Sequence, residues 1–135
     1  AATQAFLDTV NRELDIHLHP EQIDKDAFIP SELIKKYGEL GLLGMSVPRE
    51  YGGLGMSQHA YCQAIEAVAS RCGGSAVFIN AHQSIGLKGI LLFGTEIQKK
   101  QLLPALAKGE MIAAFSLTEE KAGSDANGVE TRAIY

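Results

Sequence analysis

The residues best able to do chemistry sit together in the stretch AAFSLTEEKAGSD, Ala113–Asp125. Where the apolar run ends, Thr118 presents a hydroxyl that can both donate and accept. Shortly after it, Ala122-Gly123-Ser124-Asp125 can curl into a turn whose successive N–H groups point the same way. Such a nest binds an anion without a lysine, and the Ser124 hydroxyl adds a donor. Asp125 is acceptor-only and suits an Asx brace to the backbone. Glu119 and Glu120 would repel a phosphate, so both are expected to face solvent. On residue chemistry alone, an acidic surface turn accounts for the same stretch.

The remaining reactive side chains form no catalytic constellation. His17 and His19 make an H-x-H pair without a third ligand nearby, which falls short of a metal site. His59 belongs to the first turn of a helix and is expected to be exposed. His82 lies beside Asn80, Gln83 and Ser84 in an otherwise apolar run, so this cluster must find hydrogen bonds, to other helices in preference to a ligand pocket. The GGLG of Gly52–Gly55 matches neither G-x-G-x-x-G nor a loop ending in G-K-[ST], and reads as a tight turn between helices. On one helix, Cys62 and Cys72 would stand ~15 Å apart, beyond disulfide reach. Both read as reduced core residues. No general base, activated nucleophile or metal cluster is identifiable.

Helices must position these groups. Ala2 to about Leu14 is amphipathic through Phe6, Val10 and Leu14. HLHPEQIDKDAFIP follows as a polar connector. Ser31, after Pro30, is expected to cap a second helix with Leu33, Ile34, Tyr37 and Leu40 on its apolar face. Ser57 caps a third, in which Tyr61, Ile65, Val68 and Cys72 share a stripe that Gly73 and Gly74 break. Ser75 to Phe93 is apolar or small nearly all round and should be a central, buried helix. Gly86 and Gly89 inside it cost about 1 kcal/mol each relative to alanine, a penalty offset by close packing or by room left for a ligand. Thr95-Glu96-Ile97-Gln98 is a capping box for the next helix, which contains Pro104 and ends at Gly109. MIAAFSL, Met111–Leu117, is short, apolar and without helical period, hence a buried strand. The fold class is therefore all-α, an up-and-down helical bundle ending in the first strand of a β element. A lone strand needs partners, supplied by another subunit or, as the favoured expectation, by further residues of a longer protein.

With 135 residues, 46% apolar, 21% charged and a net charge of -4, the composition is that of an ordinary globular domain. No basic block is present, so nucleic-acid binding is unsupported. Charges, glutamines and glycines interrupt every apolar run, so no membrane span is expected. The first residues lack a basic-then-apolar pattern and are already amphipathic, so export is not expected.

From about Ile29 to Ala133 the sequence resembles the N-terminal part of the acyl-CoA dehydrogenase family. The resemblance runs through LIKKYGELGLLGMSVPREYGGLGMS, then through AHQSIGLKGILLFGTEIQKKQLLPALAKGEMIAAFSLTEEKAGSDANGVETRA. Its most specific piece is the family's strand-and-turn signature, here Phe115–Asp125, and the AHQSIGLKGILLFGT wording is most similar to the very-long-chain branch. The resemblance implies a helical N-terminal domain over residues 1–110 and the beginning of a middle β domain over 111–135. It implies FAD-dependent α,β-desaturation of acyl-CoA in fatty-acid β-oxidation. A glutamate removes the α-proton, and an electron-transferring flavoprotein receives the electrons. By position, Phe115, Leu117 and Thr118 would touch the flavin. Ser124, next to Gly123, would meet the FAD pyrophosphate and the pantetheine of acyl-CoA. Ala81 and Ser84 would flank the acyl chain. A homo-oligomer is implied, cytoplasmic in a bacterium or in the mitochondrial matrix of a eukaryote.

Two departures qualify the resemblance. Glu120 stands where the family usually has proline, which would have fixed φ and stiffened the turn. The family's catalytic glutamate belongs to a C-terminal domain outside these residues, so no catalytic residue is expected in this chain and no turnover from it alone. A flavin oxidase or monooxygenase of the same superfamily shares these motifs. A helical module that binds a partner protein through bare apolar faces is the alternative from another class.

Overall fold

A computed structural model describes residues 2–134. The first helix, α1 (Ala2–His17), buries Leu7, Val10 and Leu14, one apolar stripe at helical spacing. The polar connector expected next contains a helix, α2 (Pro20–Asp26), which buries no residue. Proline at its first position has the right φ and no N–H to leave unpaired, and Ala27 closes it in a left-handed conformation, φ 49°. In α3 (Ser31–Glu39) Ser31 is helical rather than a cap: Pro30 takes the cap position without a side-chain bond. Leu33 and Tyr37 are the buried members of its face.

A short 3-10 turn, Arg49–Tyr51, precedes α4 (Gln58–Ala69), where the Ser57 hydroxyl accepts from the Ala60 N–H as expected. The next helix, α5, runs Gly73–Ala81, so the two glycines begin it rather than merely ending α4. It continues through a π-helical turn, His82–Gly86, into α6 (Lys88–Phe93). The last helix, α7 (Glu96–Lys108), has both reciprocal bonds of its capping box and carries Pro104 inside.

These helices build two apolar clusters. One joins α1, α3, α4 and α5 through Val10, Leu14, Tyr37, Ala64, Val68 and Ile79, with Leu42, Leu43 and Met45 from the loop after α3. The other joins Val47, Tyr51 and Leu87 to Leu103, Leu106 and Ala107 of α7. Polar bonds pin the packing at depth. Tyr37 donates its hydroxyl to Ser75 Oγ at 2.8 Å, both residues being fully buried. Tyr51 donates to Glu96 at 2.8 Å. Close backbone contact matters where α3 meets the end of α7: a Cβ on Gly38 would stand 2.0 Å from the Lys108 carbonyl oxygen.

Several expectations need correction. The Gly73–Phe93 helix is not buried all round, because Val77, Ile85, Leu92 and Phe93 are exposed, Phe93 to 86%. At 21 residues it is also long and apolar enough to cross a membrane by those measures alone. Its buried His82 and Gln83 are nonetheless hydrogen-bonded to other parts of the helical domain, as in a core helix. Finally, the segment expected to be a strand forms no ladder. Among the described residues the single β-type pairing is a bridge between Glu119 and Ala122. A strand needs a neighbour to satisfy its amides, and 112–118 has none here. Cys72 is buried as expected, whereas Cys62 is exposed.

Candidate functional site

The signature turn is held by its own backbone. Glu119 N–H donates to the Ala122 carbonyl at 3.0 Å, and Ala122 N–H returns the bond at 3.2 Å. Ala122 is 1% exposed, so the turn closes on a buried side chain. The Asx brace expected of Asp125 is present: its carboxylate accepts from the Asn127 N–H at 3.2 Å. Its carbonyl accepts from the Gly128 N–H, which closes a short 3-10 turn over Ala126–Gly128.

Glu119 does not face solvent unpartnered. Its carboxylate accepts from the Glu130 N–H at 2.9 Å, from the Thr131 N–H at 3.1 Å and from the Thr131 hydroxyl. These donors, the Thr131 hydroxyl first, lower its pKa below the usual carboxylate value. One acid thus fastens the chain after the turn back onto the chain before it, and Gly123 and Ser124 lie in the loop so closed. Glu120 remains exposed. The partner of Glu119 lies far along the sequence, and no local spacing rule announces it.

Gly123, Ser124 and Asp125 are exposed, and among the described residues none of their amides donates a hydrogen bond. Thr118 is likewise exposed, and among the described residues its hydroxyl makes no hydrogen bond. Phe115 and Leu117 are 56% and 44% exposed. The stretch therefore presents, in order, two apolar side chains, one hydroxyl and a short run of open amides with a second hydroxyl.

The polar cluster around His82 bonds to other elements, as expected. Gln83 donates to the Leu42 carbonyl at 2.7 Å and accepts from the Ser46 N–H at 3.1 Å. Asn80 accepts from the Tyr61 hydroxyl at 2.6 Å. His82 Nε2 is 3.0 Å from the Leu106 carbonyl oxygen, and burial, opposed by that bond, lowers its pKa. Ser84 is exposed and Ala81 half-buried, on the helix that packs against the base of the signature segment. No hydrogen bond joins either to the turn among the described residues. Between α4 and α5 runs an open groove of about 430 Å³ lined by Gln58, Tyr61, Cys62, Ile65, Val77 and Asn80. Sequence reading missed it, because Val77 and Cys62 looked like core.

Comparison with known proteins identifies the family of the helical domain. The family model described as "Acyl-CoA dehydrogenase, N-terminal domain" matches residues 1–110. A probable acyl-CoA dehydrogenase of Bacillus subtilis, YngJ, is 42% identical over 120 residues, 89% of this chain and 32% of that protein. The human mitochondrial very long-chain specific acyl-CoA dehydrogenase is 50% identical over 96 residues, 71% of this chain and 15% of that one. The chain therefore spans at most about a third of the length of either relative. A crystal structure of an acyl-CoA dehydrogenase complexed with FAD from Bacillus anthracis superposes with a TM-score of 0.79 at 38% identity, covering 95% of this chain and 22% of that one. The chain belongs to the acyl-CoA dehydrogenase family, and its residues 1–110 are that family's N-terminal domain.

Proposed function

We propose that this chain supplies the helical wall and the first cofactor-facing segment of an FAD-dependent acyl-CoA dehydrogenase. Residues 1–110 are the wall, and 111–135 begin the β domain that carries the signature turn. One observation carries the reading: exposed Phe115, Leu117 and Thr118 lead directly to the open amides of Gly123 and Ser124, in a loop braced by Glu119 and Asp125. An aromatic and an aliphatic side chain suit the ring of a flavin, a hydroxyl suits its polar edge, and unpaired amides beside a serine suit a pyrophosphate. The residues present therefore fit FAD.

In this reading Phe115 excludes water from one side of the ring, and Leu117 meets the ring through its backbone. Thr118 bonds the ring's polar edge, and Gly123 and Ser124 hold the diphosphate. Ser124 also meets the pantetheine arm of acyl-CoA, while Ala81 and Ser84 flank the acyl chain. FAD, when bound, supplies the two-electron acceptor for α,β-desaturation of the thioester. The base that takes the α-proton comes from outside these residues. A long acyl chain is favoured by the 50% identity to the very long-chain human enzyme. The implied partners are an electron-transferring flavoprotein and further copies of the same subunit. The implied compartment is the bacterial cytoplasm or the mitochondrial matrix.

The test is a visible spectrum of the longer protein that carries this chain, recorded anaerobically before and after addition of C16 and C4 acyl-CoA. Bleaching of a flavin band by the C16 thioester is expected, with reoxidation by electron-transferring flavoprotein faster than by oxygen. Ser124→Ala should weaken FAD retention about 2- to 10-fold, the value of one neutral hydrogen bond. A purified parent without flavin overturns the reading, and rapid reoxidation by oxygen alone reassigns it to an oxidase.

A further inference from the structure

Two features of the π turn meet on one residue outside it. His82 is 1% exposed and uses both ring nitrogens. The Ala113 backbone N–H donates to Nδ1 at 3.0 Å, and Nε2 lies 3.0 Å from the Leu106 carbonyl oxygen. Since Nδ1 accepts, the neutral ring carries its proton on Nε2 and donates it to Leu106. Four residues along, a Cβ on Gly86 would stand 2.7 Å from Ala113 Cβ and 3.1 Å from the Ala113 carbonyl oxygen. The absence of a side chain at Gly86 thus makes the notch into which Ala113 fits. Gly89, by contrast, has nothing within 4 Å of such a Cβ. The π geometry itself is marked by the Leu87 N–H, which donates to the His82 carbonyl at 2.9 Å, five residues back.

We propose that the π turn His82–Gly86 is a socket that sets the course of the Phe115–Thr118 segment, with His82 as the positioning residue. The imidazole ties the end of α7 to the backbone of Ala113 and fixes the height at which the chain leaves the helices. Gly86 fixes how closely it passes. Phe115 follows two residues later, so the direction set at Ala113 is the direction in which Phe115, Leu117 and Thr118 are presented. The purpose of that direction, a flavin, rests on the function proposed above; the socket does not.

Amide exchange and side-chain 15N NMR on the 135-residue chain test the socket. The wild-type spectrum should show His82 as the Nε2–H tautomer and a protected Ala113 amide. His82→Asn keeps an acceptor where Nδ1 stood and should retain most of that protection. His82→Gln reaches the Leu106 carbonyl but not Ala113, and should lose up to about tenfold. Gly86→Ala should produce the same local loss with His82 intact, while α4 and α5 amides stay protected in every variant. Equal Ala113 exchange in all four proteins, or a loss spread evenly over the helices, overturns the proposal. In the flavin-loaded parent, Gly86→Ala should weaken flavin binding several-fold, and an unchanged affinity would overturn the aiming role. A wild-type parent without flavin would sink the functional reading and the aiming role with it, leaving exchange to decide the socket.

Discussion

Glu119 shows how one acid can brace a turn of open amides without turning its charge on them. Its carboxylate takes three donors from Glu130 and Thr131, so its charge is directed at the returning chain rather than across the turn. The folded pKa is lowered from an ordinary 4.5, so the bond favours the closed loop at every pH above 4.5 and is lost as pH falls through the depressed value. Glu119→Gln should behave at pH 7 as acid does in the wild type. The Glu130 and Thr131 amides should exchange faster, with helix amides unmoved and thermal stability little changed, because the group is at the surface. Protection at those two amides that is equal in both proteins would remove the brace. Asp125 was legible from sequence because an Asx turn joins neighbours. Glu119 was not, because its donors are set by the path of the chain beyond the turn.

Elements were legible where one face carries the information. The stripes of α1, α3 and α4 gave those helices, and the Thr95–Gln98 box gave the start of α7. The helix α2 was missed because it buries nothing, and a polar helix has no apolar period to read. The π turn was missed for another reason: one extra residue shifts the phase of an apolar run too slightly to show in the pattern. Gly38 reads as a weak point in α3, yet it is where α3 meets the Lys108 carbonyl. Gly38→Ala gains about 1 kcal/mol of helix propensity. The new Cβ, however, meets a backbone oxygen that cannot rotate aside, an overpacking that costs about 1–3 kcal/mol. The sum should be a thermal midpoint lower by a few degrees, measured by calorimetry on the chain. A midpoint raised by the substitution would show that the α3–α7 contact is loose.

At the scale of the molecule, the apolar surface that is left over follows from the same residues that read as core. Ser75 to Phe93 looked buried because nearly every position is apolar or small, and such a pattern cannot say how many neighbours the helix has. In the structure one side packs on the two clusters, while Val77, Ile85, Leu92 and Phe93 face outward. Ile97 of α7 and Met111, Ile112, Phe115 and Leu117 of the unpaired segment are exposed as well. The segment was expected to be a strand on composition, and composition does not supply the neighbouring strand that would pair it. Apolar exposure on this scale favours association, so the 135-residue chain should sediment as a concentration-dependent mixture rather than as a single monomer. Leu92 and Phe93 are 60% and 86% exposed, so Leu92→Ser with Phe93→Ser removes apolar area without opening a core cavity. Burying either side chain in a contact between copies contributes up to about 1.5–3 kcal/mol, so the double variant should shift association at least tenfold toward monomer with an unchanged helical circular dichroism spectrum. A wild-type chain that sediments as one monomer at every concentration would show that these side chains leave no sticky face, and that the helical domain holds its surface in solution unaided.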